Sequence, residues 1–237
     1  MNFENEIISV VASGHCLKNL NKENITKIND TKLFRCNWFF NDNDTGIKKD
    51  LEGYFFIVKD QNLLSALDKS TTHTIQTYYT PLLNVEYTPI VNYWEVLKEK
   101  DDFYKQFLNP KGQRNILGDV GLPTTGVSMF AFATSLQPKE IIYAGIDFYK
   151  PNKDRENFDY LGHKDSGVNP YLNEGSTHSL EADMKVFMKG VLQYKHPDNI
   201  TIYGSDFVVA LKDFILDNRK INFEDLYKKV EKFYMEY

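Results

Sequence analysis

The segment GSTHSLEADMK, Gly175 to Lys185, sets a histidine at the entrance of a run with helical spacing. A neutral imidazole is what a general base needs near neutral pH, so His178 could take a proton from a hydroxyl. A lone histidine at a helix entrance is also a common structural feature, and the residues alone leave both readings open. Three other places combine polar side chains with what read as strand ends: Ser13-Gly14-His15-Cys16, Arg35-Cys36-Asn37-Trp38 and Gly145-Ile146-Asp147-Phe148-Tyr149. A glycine after a buried strand lets a phosphate or sugar approach the backbone, where the following amides can donate to it. Asn37 could hold a ribose, a base or a phosphate, or simply close a turn. Asp147 would be costly if it were buried, ionised and unpartnered. It either bonds amides that shape its loop or takes part in chemistry. The Tyr149 phenol could donate a hydrogen bond to a leaving phosphate, or sit at the edge of the core. Cys16 beside His15 is a weak nucleophile–base pair, because adjacent residues rarely make the required hydrogen bond.

Metal and nicotinamide chemistry find little support. His163 and Asp165 lie close in sequence, but no H-x-x-x-H, C-x-x-C or paired carboxylate set has ligand spacing. The one D-x-D run, Asp42 to Asp44, lies in a turn-like string. The turn after the first strand lacks the G-x-G-x-x-G spacing of a dinucleotide site. The expectation is no metal and no cofactor.

These residues need a scaffold. EIISVVASG reads as a buried strand feeding a tight turn, Lys32 to about Phe39 as a second, Gly53 to Val58 as a third and TIQTYY as a fourth. KDQNLLSALDK reads as helical, as does VNYWEVLKEKDDFYKQFLNP up to Pro110. Thr124 or Thr125 can cap a helix to about Leu136, after which Pro138 closes it and EIIYAGIDF forms a strand. A helix with Leu180, Met184, Phe187 and Val191 on one face precedes the strand NITIYG. None of the strands alternates cleanly, which points to burial on both faces, as in a parallel sheet. Strands alternating with helices predict an α/β fold, mostly parallel and doubly wound, with helices on both faces. The segment of about 27 polar residues before His178, residues 150–177, reads as a lid or binding loop. The amphipathic tail, 213–237, could lie on a membrane surface, but packing on the domain is preferred.

Composition narrows the function class. The chain has 237 residues, room for a single α/β domain over 1–237, with 42% hydrophobic and 26% charged residues. A net charge of −5 argues against a nucleic-acid binder. Two cysteines, Cys16 and Cys36, make no disulfide framework and fit a reducing compartment. The N-terminal apolar run is too short and too acidic in its flanks for a signal peptide, and no stretch approaches the roughly 20 apolar residues that span a bilayer. The expected location is cytoplasmic, with peripheral contact to an inner membrane through the tail as an option.

Taken together, these positions resemble the family 42 bacterial sialyltransferases. That family's second strand, V-F-R-C-N-Q-F-Y-F followed by G-K-K, is similar to LFRCNWFF followed by GIKK. Its I-T-S-G-V-Y-M-C-A-x-A-I-A-L-G-Y-K-x-I-Y-L-x-G-I-D-F-Y is similar to PTTGVSMFAFATSLQPKEIIYAGIDFYK, and its H-S-K-x-x-D-I-x-A-L to HSLEADMKVF. The resemblance covers roughly residues 7–60 and 120–205. It implies a GT-A-like domain with a lid loop, which transfers sialic acid from CMP-sialic acid to a lipooligosaccharide or capsule acceptor with inversion and without a metal. By motif, His178 is then the base and Tyr149 the residue assisting the phosphate. Asn37 with Trp38, Ser13 with Gly14, and Asp147 fall on the donor site, and Thr124, Thr125 and Gly126 on the loop embracing the nucleotide. The resemblance leaves room for a homo-oligomer.

The chain departs from the pattern around the donor and acceptor. Ser13 stands where the family has an asparagine, Leu122 where it has an arginine, and Phe56 or Ile57 where it has another asparagine. A second phosphate-binding tyrosine would fall on Arg155, so either Arg155 acts as a cation or Tyr160 reaches in. Two rival readings follow: transfer of another CMP-activated ulosonic acid, such as Kdo or a different nonulosonate, or a nucleotide-binding domain without turnover.

Overall fold

The short β-branched and aromatic runs become strands whose side chains are covered on both sides. The computed structural model describes residues 2–37, 39, 45–48, 50–55, 74–80, 90–107, 121–148 and 178–237. In chain order the elements are β1 (Ile7–Val11), α1 (Lys22–Asn29), β2 (Lys32–Cys36), β3 (Leu51–Phe55), β4 (Ile75–Thr80), β5 (Ile90–Asn92) and α2 (Tyr93–Lys100). Then follow α3 (Thr125–Ser135), β6 (Glu140–Ala144), α4 (Leu180–Gln193), β7 (Ile200–Tyr203), α5 (Asp206–Asp217) and α6 (Phe223–Glu236). Seven strands form one sheet in the order β5-β4-β3-β2-β1-β6-β7, and every neighbouring pair is parallel. This is the doubly wound α/β class expected from the strand patterning.

The sheet grows from β1 toward one edge through β5, then returns to the other side of β1 as β6 and β7. The reversal places a topological switch point between β1 and β6, where open α/β sheets bind ligands at strand carboxyl ends. The two faces carry separate cores. Ile8, Val10 and Ala12 join the larger one with α3, α4, α5 and α6, while Val11 joins a smaller one with Ile28 of α1, Leu33 and Ile142. Helix α3 is buried along its whole length, so its small residues let it lie directly on the sheet.

Several boundaries differ from the sequence reading. The second strand stops at Cys36 rather than near Phe39, because Asn37 adopts a left-handed φ of 51° and turns the chain. The third begins at Leu51, ahead of Gly53. Ile90–Asn92 is a fifth strand that overlaps the first two residues of a stretch that reads as helix. There the Asn92 side chain accepts from the Trp94 and Glu95 amides, so one residue ends β5 and caps α2. That helix ends at Lys100, and Asp102–Phe107 follows as a 3-10 turn rather than running helically to Pro110. The expected helix over 59–69 and the lid segment 150–177 lie outside the described residues.

The tail forms two helices that pack on the sheet's helical layer. Leu226 and Val230 of α6 are buried at 1% and 0% exposure. Lys185 of α4 bonds Glu181 at 2.9 Å, reaches Glu224 of α6 at 3.8 Å and lies over the Tyr227 ring at 4.7 Å. Among the described residues no helix is long and apolar enough to cross a membrane. A helix whose apolar stripe is already buried against its own chain is a structural element. Leu226→Ala should therefore cost about 2–4 kcal/mol in urea or thermal unfolding, as for a buried leucine, rather than the few tenths expected of a surface residue.

Candidate active site

Two glycines let β1 and β6 come together at their carboxyl ends. Ala12 N–H donates to Ala144 O at 3.0 Å and Gly14 N–H to Gly145 O at 2.8 Å. A Cβ on Gly14 would lie 2.4 Å from Gly145 O, and one on Gly145 would lie 2.2 Å from Ala12 O. Gly145 also has φ +75°, a conformation that other residues seldom adopt. On top of this junction sits the start of α3. A Cβ on Gly126 would fall 2.7 Å from Ile146 Cδ1 and 2.8 Å from Ala12 Cβ. Small residues at 12, 14, 126 and 145 therefore bring a helix N-terminus against both strand ends at the switch point.

That N-terminus is available to an anion. Thr124 is its N-cap residue, but its side chain makes no cap bond, and no acidic residue lies in the first turn. The Thr124 amide donates to Asp183 Oδ1 at 2.6 Å, and its hydroxyl lies 3.1 and 3.0 Å from the two Asp183 oxygens. Among the described residues no side chain accepts from the amides of Thr125, Gly126 or Val127, so beyond the Thr124 amide held by Asp183 these three donors are left at the junction. Ser13, at the end of β1, is 7% exposed, and its hydroxyl has no hydrogen-bond partner among the described residues. A buried hydroxyl left unbonded at such a place has unused capacity for a ligand.

Asn37 ends β2 beside this junction. Its amide donates to Phe55 O at 3.0 Å, and its carbonyl accepts from Tyr54 Oη at 2.8 Å. The strained backbone is thus held at both ends, while the side-chain amide makes no hydrogen bond among the described residues. Asp147 is half-buried over the same turn, its Oδ2 lying 3.5 Å from where a Gly14 Cβ would be.

His178 closes the site from the α4 side. It forms a parallel bridge with Leu122, and its Nδ1 lies 3.2 Å from Leu122 O. A carbonyl can only accept, so Nδ1 carries the hydrogen, and in the neutral form of the ring the lone pair is on Nε2. Ser179 then caps α4, its hydroxyl accepting from the Ala182 amide at 3.1 Å.

The structure brings Ser13, Gly14, Asn37, Thr124, Thr125, Gly126, Asp147 and His178 to the carboxyl side of the sheet. Trp38, Tyr149, Arg155 and Tyr160 lie outside the described residues. Two participants were not assigned from sequence. Leu122, marked only as a missing arginine, contributes a backbone carbonyl, for which no side-chain signal exists. Asp183 was legible only as the acidic residue of H-S-x-x-x-D. Among the described residues no three His, Cys, Asp or Glu side chains cluster as metal ligands.

The chain matches no family model and no curated protein. Solved structures do match. An α-2,3-sialyltransferase from Campylobacter jejuni in apo form is 21% identical, with TM-score 0.55, covering 87% of this chain and 78% of its own. The monofunctional α-2,3-sialyltransferase Cst-I from Campylobacter jejuni is 20% identical, with TM-score 0.55, over 84% of this chain and 76% of that one. The sialyltransferase CstII from the same organism, in complex with the substrate analogue cytidine-5′-monophosphate, is 22% identical with TM-score 0.53, over 77% and 74%. This chain has the bacterial sialyltransferase fold.

Within that fold, the cysteine after the first strand is inert. Cys16 Sγ lies 3.5 Å from Ile146 O, and burial first, then the Asp147 charge, push its thiol far above the ordinary range. Both effects disfavour a thiolate nucleophile there. Both cysteines are buried. Alkylation at pH 8 followed by mass spectrometry should leave Cys16 and Cys36 unmodified in the native protein and label both after denaturation.

Proposed function

We propose that the chain is an inverting, metal-independent glycosyltransferase that moves sialic acid from CMP-sialic acid to a hydroxyl of a bacterial surface glycan. The observation that carries this reading is the pairing of His178, ring-locked on Leu122 O, with the unsatisfied N-terminus of α3 and the unbonded Ser13 hydroxyl. One end of that arrangement can receive a proton and the other a phosphate.

The steps follow from those chemistries. His178 Nε2 takes the proton of the acceptor hydroxyl as its oxygen bonds to the anomeric carbon of the donor. The bond from that carbon to the phosphate oxygen breaks on the opposite face, and CMP leaves with the electron pair. Attack opposite the leaving group inverts the anomeric configuration. The charge on the leaving phosphate is met by the α3 amides and Ser13, with Tyr149 as proton or hydrogen-bond donor and Arg155 or Tyr160 as a further partner. CMP departs as an already stabilised phosphate monoester, so neutral donors suffice. Asn37 and Asp147 border the cytidine side.

A second reading keeps this mechanism with another CMP-activated ulosonic acid. Ser13 in place of an asparagine and Leu122 in place of an arginine favour it, because both positions lie within the site just described.

Calorimetry with CMP and CDP, followed by donor hydrolysis over several CMP-sugars, tests both readings. Binding of CMP with turnover of one CMP-sugar is expected. Absence of CMP binding at millimolar concentration would sink both, and binding without turnover of any donor would leave a nucleotide-binding domain. His178→Ala should keep CMP binding and lower transfer about 10²–10⁴-fold. Ser13→Ala should weaken CMP about 10- to 150-fold, the worth of one hydrogen bond to a charged group of about 1.5–3 kcal/mol.

A further inference from the structure

A carboxylate buried to 1% exposure is costly unless its oxygens are bonded, and Asp183 meets that requirement on another helix. One partner is Thr124, 59 positions earlier in the chain, through a main-chain donor at 2.6 Å and a hydroxyl at 3.0 Å. Hydrogen bonds to an ionised acceptor are among the stronger kind. Asp183 lies in the first turn of α4, and Thr124 is the N-cap residue of α3. One negative charge therefore complements the positive ends of two helices.

Three further contacts tie the same two segments. Ser179 N–H donates to Leu122 O at 3.2 Å, and His178 Nδ1 lies 3.2 Å from that same oxygen. A Cβ on Gly121 would lie 2.4 Å from Ser179 Cβ, so the strands of chain touch at backbone distance. The carbonyl that orients His178 is thus two residues from the amide held by Asp183. On its other side, Thr124 O accepts from Ser128 N at 3.0 Å and Ser128 Oγ at 2.9 Å, so the start of α3 follows wherever Thr124 is held.

We infer that Asp183 is a positioning residue whose carboxylate, by gripping Thr124, sets both the angle of the His178 ring and the donor-facing amides of α3. The inference rests on the reading of His178 as the base. Asp183 touches no reacting atom; it acts through His178 on the chemical step and through α3 on nucleotide affinity. Nothing in the mechanism above assigns it a part.

A double-mutant cycle tests this, with transfer rate and CMP affinity measured separately on the full chain below its unfolding transition. Asp183→Asn keeps the side chain's size and one acceptor oxygen. It should lower kcat about 10–100-fold, since small displacements of a catalytic group cost that much, and weaken CMP several-fold. In the His178→Ala background, Asp183→Asn should lower kcat by a clearly smaller factor than in the wild type, the remainder coming through the α3 amides that meet the departing phosphate, while still weakening CMP by the same factor, because coupled residues are not additive. Equal losses of kcat in both backgrounds, or a wild-type rate in Asp183→Asn alone, would overturn the inference. A wild-type rate in His178→Ala alone is a different failure, that of the base assignment, and is read from that variant without the cycle. If Asp183→Asn does not fold, Thr124→Val carries the same cycle, since it removes only the hydroxyl donated to the carboxylate; the same split between backgrounds is expected, and additivity overturns it.

Discussion

Everything at the candidate site hangs on the backbone contact between the carboxyl ends of β1 and β6. Gly14 and Gly145 meet at a separation that leaves no room for a Cβ on either. Parallel strands normally lie at about 4.8 Å, with side chains filling the space above and below. Here the chains stay hydrogen-bonded one step past the end of the regular ladder, through Ala12 to Ala144 and Gly14 to Gly145. The consequence is a floor of bare backbone at the switch point. Gly126 settles α3 directly onto that floor, and the helix dipole is delivered to within ligand reach. A larger residue at any of these positions would lift the helix away from the strand ends.

Around this floor, the described groups proposed to meet the phosphate are neutral. The chain's net charge is −5, and the donor of the proposed reaction is itself anionic. The described part of the site answers with dipoles: amides at the start of α3, the Ser13 hydroxyl and the Asn37 side chain. The carboxylates nearby are committed elsewhere. Asp183 is spent on two helix ends, and Asp147 sits over the Gly14 turn, where it helps hold the Cys16 thiol protonated. Fixed dipoles in a water-poor pocket can stabilise a departing phosphate without reorganising.

How much of this was readable follows from where each signal resides. Strands β1, β2, β6 and β7 were plain because runs such as IISVV and EIIYA are apolar on both faces and end in glycine or a polar turn. Helices α3 and α4 were plain from their caps and spacing. Strand β5 was not, because Ile90–Asn92 has only three residues and runs straight into α2, so its period is lost in that of the helix. The end of β2 was misplaced because Asn37 takes a left-handed turn that apolar Phe39 and Phe40 conceal. At the site, Ser13, Gly14, Asn37 and His178 could be proposed because their types carry chemistry. Leu122 could not, since its contribution is a carbonyl that every residue owns. Asp183 was visible as a residue and not as a role; only the fold reveals that its partner lies 59 positions away.

The contact of His178 Nδ1 with Leu122 O bears on the chemistry. A histidine paired with a carboxylate gains a charge that favours imidazolium, and gives up part of its service as a neutral base. A backbone carbonyl fixes the same tautomer and ring angle without that charge. In the proposed reaction the imidazolium forms only as the glycosidic oxygen bond forms, and at that moment the departing phosphate supplies negative charge across the site. The phosphate charge that develops in that reaction grows toward the transition state, which is the condition for lowering the barrier rather than tightening the ground state. Leu122, the residue that looked like a loss beside an arginine, is compatible with this arrangement. A side-chain cation at that position would add positive charge beside the ring that the carbonyl orients, and the backbone oxygen does its work whatever side chain the residue carries.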